Sequence, residues 1–361
     1  MLNLVHISDL HIGKVFDKYP GPIKEALQAA RIGTLEKIVD FANTNPSSLL
    51  VIAGDLFDRV NIPTSLIMET TKVLRAYHGL VLVLPGNHDF SSSSQGLWQT
   101  FKDNCGENTL VLDEYRPYDL KEYGVDAVIY PCFCQSKHSE ENALGWIDPS
   151  LVDKTRINIG LAHGALEGIS PDLQGQYFTM AKTELTSLPM DLWLLGHTHV
   201  PYPLSGENPG ERIFNAGVHE PDGMNYRHKG SFFYIGIDKE GIQSQRIESG
   251  TYRFEDRYDR VEDLEAYLKT FDEGYENTLL RLNLSGRLDE EDYKARRDIY
   301  KELSDKVFYL DVRDEDLTLR LSPELISEKF VHGSFPEKML LMLKDEEDAL
   351  QLAYELIEES R

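Results

Sequence analysis

The 361-residue chain predicts an α/β fold in two main parts, and three observations carry that prediction. Short, wholly apolar runs recur through the first 250 residues, segments of helical period separate the first of them, and the texture changes at Ser249–Gly250. With 41% hydrophobic and 27% charged residues the composition is that of a globular chain, and the longest apolar runs fall far short of the roughly 20 residues that span a bilayer. A membrane is therefore not expected among its partners.

Taken in order, Leu2 to Ile7, Leu49 to Ala53, Leu80 to Leu84, Ala127 to Tyr130, Ile157 to Leu161 and Leu192 to Leu195 read as buried strands, each bounded by turn or cap residues. Ile23 to Phe41 and Pro63 to Tyr77 carry apolar residues at helical spacing between the first three. Ile213 to Val218, Ser231 to Asp238 and Ile242 to Glu248 follow one another without a helix, across glycine-marked turns, and predict an antiparallel return sheet. This part, residues 1–250, is the expected catalytic domain. In residues 251–335, a helix (Val261 to Phe271), a strand (Thr278 to Leu284), a helix (Asp289 to Leu303) and a strand (Val307 to Val312) read as a small α+β unit of split β-α-β type. Residues 336–361 carry a last helical pattern, Pro336 to Ser360, and its acidic run Asp345 to Asp348 reads as a solvated face or a helix N-terminus.

The net charge of −24 counts against broad nonspecific binding to nucleic acid, and residues 251–361, with 30 acidic against 17 basic side chains, are the more acidic part. Three cysteines, Cys105, Cys132 and Cys134, suit a reduced compartment better than a disulfide scaffold. The opening MLNLVHISD offers no basic stretch of a signal peptide, so a cytoplasmic location is expected.

The chemistry lies where the predicted strands stop. Asp9-Leu10-His11 follows the first, Gly54-Asp55-Leu56-Phe57-Asp58 the second and Gly86-Asn87-His88-Asp89 the third; His163-Gly164 and Gly196-His197-Thr198-His199 follow two later ones. Open α/β sheets gather ligands beyond the carboxyl ends of their strands, so these residues can meet although they span 190 positions. Carboxylates, an asparagine and imidazoles without a thiolate suit borderline divalent ions such as manganese, iron or zinc. The glycines Gly54, Gly86, Gly164 and Gly196 let the backbone turn tightly beside the cluster. Each motif alone is weak; five in succession, each after a β-like run, are not. The other histidines (His6, His78, His138, His219, His228 and His332) read as structural or exposed.

The order D-x-H, G-D-x-x-D, G-N-H-D, H, G-H-x-H resembles the calcineurin-like metallophosphoesterase superfamily, and ISDLHIG, AGDLFD and LPGNHD are similar to its DNA repair exonuclease branch of SbcD-like and YhaO-like proteins. The resemblance implies a layered β-sandwich flanked by helices with a small C-terminal α+β cap domain. It also implies two divalent ions, manganese first and iron or zinc as alternatives. Asp9, His11, Asp55 and His199 would hold one ion and Asp55, Asn87, His163 and His197 the other, with a hydroxide between them as nucleophile. His88 would act on the leaving-group side with Asp89 orienting it. Asp58 would either hold a ligand histidine or cap the helix near Pro63.

By the same resemblance the substrate would be DNA, the partner an SbcC-like coiled-coil ATPase docked on the C-terminal helical segment, and a homodimer stays open. The bland reading of that segment is that it covers the protein's own core. Lys14 to Lys18 and Arg227 to Lys229 are the candidate DNA-facing cations. The alternative is a small-molecule phosphoesterase acting on cyclic nucleotides or nucleotide polyphosphates, which would use the same residues. A binding scaffold without activity conflicts with the presence of every expected ligand type.

Overall fold

The computed structural model describes residues 1–361 except 93–95, 171–175, 206–209, 227, 272 and 361. They form two compact units, Met1–Arg253 and Phe254–Arg361.

In the first unit, β1 (Leu2–Ile7), α1 (Gly21–Thr44), β2 (Leu49–Ala53), α2 (Thr64–Arg75), β3 (Leu80–Leu84), α3 (Leu97–Asn104) and β4 (Thr109–Val111) alternate strand and helix. Next come β5 (Tyr118–Asp119), β6 (Ala127–Cys132), β7 (Ile157–His163), α4 (Lys182–Ser187), β8 (Leu192–Gly196) and β9 (Ile213–Asn215), then β10 (Ser231–Asp238) and β11 (Gly241–Glu248). Among the described residues one sheet has six strands in the order β11-β10-β1-β2-β3-β4, and a second has five, β5-β6-β7-β8-β9.

The two sheets face each other. Leu4, Val51 and Leu82 of the first pack with Ile129, Leu161 and Leu194 of the second. Their neighbours Val5, Leu50, Ile52 and Val83 point the other way, onto Leu35, Ile38, Leu74 and Phe101 of α1, α2 and α3. The outer face of the second sheet, with Tyr130, Trp193 and Leu195, is covered by Leu144, Ile147 and Leu185. Both faces of each central strand are thus buried, which is why the runs are continuously apolar instead of alternating.

Two expectations change. Ile213 to Val218 does not join Ser231 to Asp238 and Ile242 to Glu248 in one antiparallel return sheet: β9 pairs parallel with β8 in the second sheet, whereas β10 pairs antiparallel with β1 and β11 in the first. The physical reason is that the connection after β9 crosses from one sheet to the other, and a glycine-marked turn does not reveal that.

The second unit holds β12 (Arg253–Val261), α5 (Leu264–Leu268), β13 (Thr278–Leu288), α6 (Glu290–Ser304) and β14 (Tyr309–Leu319) in a sheet ordered β12-β13-β14. Here the β-α-β is not split, because β13 and β14 are adjacent and parallel, with Leu280 opposite Leu310. Asp289 caps α6 by accepting from the Asp292 N–H at 2.9 Å. Three further helices, α7 (Pro323–Lys329), α8 (Phe335–Met342) and α9 (Glu347–Glu359), share a core of Ile326, Phe330, Leu340, Leu350 and Ala353. Leu352 and Leu356 on α9 and Met342 on α8 stay exposed. The acidic run opens α9, with Glu347 and Asp348 in its first turn. Among the described residues no helix is long and apolar enough to cross a membrane.

Candidate metal centre

The strand-end residues of both sheets converge. β1, β2 and β3 deliver Asp9, His11, Asp55, Asn87, His88 and Asp89; β7 and β8 deliver His163, His197 and His199. Backbone bonds tie the first two loops together: Asp9 N–H donates to Gly54 O at 3.1 Å and His11 N–H to Asp55 O at 3.0 Å. Asp9, His11, Asp55 and His197 all have left-handed backbone, with φ between 44° and 89°. Such conformations are unfavourable for residues with a Cβ and cluster at sites where geometry serves function. Two glycines are required by close approach. A Cβ on Gly54 (φ +90°) would lie 2.0 Å from His163 Nδ1, and one on Gly86 would lie 2.2 Å from Asp55 Oδ1.

On one side, His11 Nε2 and His199 Nε2 stand 3.1 Å apart, and Asp9 Oδ1 lies 3.9 Å and 3.5 Å from them. On the other, Asn87 Oδ1 is 3.0 Å from His163 Nε2 and 3.1 Å from His197 Nδ1. Asp55 stands between: its Oδ2 is 3.7 Å from His11 Nε2 and 3.4 Å from His163 Nε2. Two carboxylates, one amide oxygen and four imidazoles, largely withdrawn from solvent, fit a pair of divalent cations; Asp9–His11–His199 and Asp9–Asp55–His163 each bring three donor atoms within 4.8 Å. His11, Asp58 and His88 form a third such group.

The electrostatics match that fit. Burial alone would raise Asp9 and Asp55, yet neighbouring imidazoles hold both well below the usual carboxylate range. Burial lowers His163, but the adjacent Asp55 outweighs it and holds the ring up to about 9. Without an ion, that imidazolium is the positive charge the buried carboxylates call for. His163 Nδ1 lies 2.8 Å from Ala53 O, a contact that fixes the ring and aims Nε2 at Asp55 and Asn87. Asp58 Oδ1 is 3.6 Å from His11 Nδ1. The cap reading of Asp58 fails, because Pro63 occupies the N-cap of α2.

Asp89 is not the partner of His88. Its buried carboxylate accepts from Phe57 N–H at 3.0 Å and Gly86 N–H at 2.7 Å, so it braces the two loops from beneath. The His88 ring is held instead by its Nδ1, 2.9 Å from Asp58 O, while the His88 backbone N–H donates to Asp55 Oδ1 at 2.8 Å. The difference arises because the third loop turns sharply after Asn87, which sends successive side chains to opposite sides.

A cleft of about 700 Å³ opens over the cluster, lined by Asp55, Asn87, His88, His197 and His199 and by residues the motifs do not include: Tyr177, Asp222, Tyr226 and His228. Tyr226 stacks on His199 with ring centroids 5.6 Å apart. For Asp222, Tyr226 and His228 the signal was topological: they lie in the segment that leads into β10, which returns beside β1; Tyr177 comes from the connection between β7 and β8. Of the candidate cations, Lys14 donates to Asp222 and Lys229 reaches Glu248 at 2.8 Å, whereas Lys18 is exposed; Arg227 lies outside the described residues.

Comparison with known proteins agrees with the site. The chain is similar to a protein named Uncharacterized metallophosphoesterase YhaO from Bacillus subtilis (strain 168), 28% identical over 217 residues that cover 58% of this chain and 51% of that protein. It thus spans about half the length of that curated relative. The crystal structure of TT1561 of Thermus thermophilus is a more distant likeness, 10% identical with a TM-score of 0.41, covering 67% of this chain and 97% of that one. Residues 2–201 match the model of the calcineurin-like phosphoesterases, and with Asp, Asn and His side chains convergent at the strand ends the chain belongs to that family.

Proposed function

We propose that this metal-dependent phosphoesterase is a two-metal phosphodiesterase that cleaves DNA, of the SbcD-like repair type, working with manganese. The observation that carries the two-metal reading is the place of Asp55: a single carboxylate lies within 4 Å of donors from both halves of the cluster. A shared anionic ligand is what two like-charged ions need in order to sit close together. In this reading residues 251–335 select DNA ends, and the segment 336–361 docks an SbcC-like coiled-coil ATPase.

Bound divalent ions would neutralise phosphoryl oxygens and acidify a water. Asp9, His11, Asp55 and His199 would hold one ion, and Asp55, Asn87, His163 and His197 the second. Ala53 O fixes His163 through Nδ1, so that its Nε2 is presented to the site, while the Asp58 carboxylate stands 3.6 Å from His11 Nδ1 and acts on that ring by charge. His88 lines the cleft with Nδ1 anchored on Asp58 O, which leaves Nε2 to donate a proton to the leaving oxygen. Asp89 keeps the two loops that carry Asp55 and His88 in register.

A second reading, a small-molecule phosphoesterase, draws support from the pairing of Lys14 and Lys229 with carboxylates, which takes two of the candidate cations away from a DNA backbone. One assay decides: purified protein with manganese on linear DNA, plasmid DNA and bis-p-nitrophenyl phosphate. Cleavage of all three is expected; hydrolysis of the small diester with both DNAs intact would transfer the proposal to the second reading. His88→Ala should keep its metal content and lose about 10²- to 10⁴-fold in turnover of the diester. Near-normal kcat and KM would remove His88 from the reaction.

A further inference from the structure

We infer that Arg31 is a positioning residue for the Asp9–His11 half of the site, an inference that rests on the two-metal reading above. Arg31 sits on α1, away from every strand-end motif, and its side chain is 1% exposed. Its guanidinium is a fork with each arm on a different part of the site's frame. Nε donates to Leu10 O, Nη2 to Asp9 O at 3.4 Å and Nη1 to Glu220 O at 3.3 Å. Asp222 supplies the counter-charge, 3.9 Å from Nη2, and Arg31 in turn holds Asp222 ionised against its burial.

What the fork grips is the strained part of the chain. Asp9 and His11 both have left-handed backbone, and Phe16, whose ring lies 5.9 Å from the guanidinium carbon, does too. A loop that turns this way without glycine needs its carbonyls fixed from outside, and the Leu10 and Asp9 carbonyls are the ones Arg31 takes. Asp222 also lines the cleft and accepts from Lys14, so the same buried pair reaches from the back of the loop to its front. The Arg31 backbone is anchored as well: His219 Nε2 lies 2.9 Å from its carbonyl oxygen. The other half of the site is built differently. Asn87 Oδ1 lies within bonding distance of His163 and His197, His163 rests on Ala53 O, and the His197 backbone N–H donates across to the Asp9 carboxylate at 3.0 Å; no arm of Arg31 is among these bonds. A lysine could supply the charge but not three directed N–H groups in one plane, so Arg31→Lys separates positioning from electrostatics.

The test is a manganese titration of the metal-free full-length protein, followed by calorimetry, with an unfolding curve for each variant. The native protein takes up two ions. In Arg31→Lys one ion weakens about 10- to 100-fold, the usual loss when a group supporting a metal ligand is removed, and the second stays unchanged. Adding Asn87→Ala to Arg31→Lys then removes the second ion too. Asp222→Asn, which leaves the fork in place and takes away its counter-charge, gives the same one-ion signature at smaller size and serves if Arg31→Lys does not fold. The inference is overturned if both ions weaken together, if neither does, or if the ion lost is the one on Asn87, His163 and His197. A native protein that binds fewer than two ions overturns the two-metal reading itself, and this inference with it.

Discussion

The two units solve opposite problems. In Met1–Arg253 the buried residues include Asp9, His11, Arg31, Asp55, Asn87, Asp89, His163 and Glu220; in Phe254–Arg361 the buried polar side chains among the described residues are Thr278 and Glu337. Among the described residues every non-glycine with left-handed backbone, from Asp9 to His197, also lies in the first unit. The second unit has ordinary backbone, two apolar clusters and an exposed rim that includes Phe335 and Met342. Desolvated charge and strained backbone both cost stability, so a chain keeps them only where something else depends on them. The contrast is one of construction: desolvated charge and left-handed backbone gather in the first unit, whereas the second is held by ordinary apolar clusters.

The strongest way to break that contrast is to remove the residue on which the first unit is centred. Asp55→Asn should lose both ions and with them essentially all metal-dependent hydrolysis, whereas Asn87→Ala should weaken mainly one ion. Metal analysis of the two purified variants checks this. If Asp55→Asn retained two tightly bound ions and full activity, the bridging assignment would be wrong. Bound ions should also stabilise the first unit alone, by about 2.7 kcal/mol per site at a hundredfold excess over Kd.

Acid should separate the units next. Burial pushes His6 and His219 down to about 3 and, together with the charge on His163, His197 down to about 4; His11 is also held well below its ordinary 6.5. These rings stay neutral in the fold while the unfolded chain takes up protons near pH 6.5, so the stability they lend is complete above that pH and falls as pH falls. Asp89 acts in the other direction. Burial and Asp55 raise it to about 7, so the folded protein binds that proton first and gains stability as pH falls from 7 towards 4. His163, held up to about 9, is already charged across this window and adds no slope. Glu220, also raised by its burial, acts with Asp89, and four histidines against these two carboxyls leave the metal-free first unit losing stability from pH 6.5 to 4, about 1.4 kcal/mol per pH unit for each net proton. The second unit has one histidine, His332, whose side chain is 97% exposed. Hydrogen exchange at pH 7 and pH 4.5 should show protection lost first within residues 1–253; earlier loss in 254–361 would contradict the contrast.

Much of this was legible because buried parallel strands leave a coarse mark. Leu2 to Ile7, Leu49 to Ala53 and Leu80 to Leu84 read as strands and fold as strands, and the motifs that follow them meet: Asp55 Oδ2 lies 3.7 Å from His11 Nε2, and the His88 backbone N–H donates to Asp55 Oδ1 at 2.8 Å. What could not be read is partner choice. The sequence of Gly86-Asn87-His88-Asp89 does not say that Asp89 turns back to Phe57 and Gly86 while Asp58 O takes His88, since that depends on the exact path of the loop. Nor does a glycine turn say that β9 and β10 enter different sheets. Strand β12, RFEDRYDRV, is too charged to stand out, because several of its side chains face solvent. Arg31 lies within a helix like any amphipathic cation, and only its burial sets it apart.

The mildest test concerns the second unit. Leu303 on α6 is fully buried in the cluster that also holds Leu280, Leu282 and Leu317 from the parallel pair β13 and β14. Replacing it with alanine removes the isopropyl group beyond Cβ and leaves a cavity between helix and sheet that the surroundings fill only in part. Leu303→Ala should therefore cost about 2–5 kcal/mol. Leu352 is 59% exposed, so Leu352→Ala should change stability by no more than about 0.5 kcal/mol. Both variants should bind manganese and hydrolyse a small diester as the native protein does, because the ligands and His88 belong to the other unit. Urea unfolding followed alongside a manganese titration reads both quantities from one preparation. If Leu303→Ala lowered ion affinity tenfold at a pH and temperature where the protein remains folded, the second unit would be part of the metal site's support, and the division between a strained chemical unit and a relaxed scaffold would have to be given up.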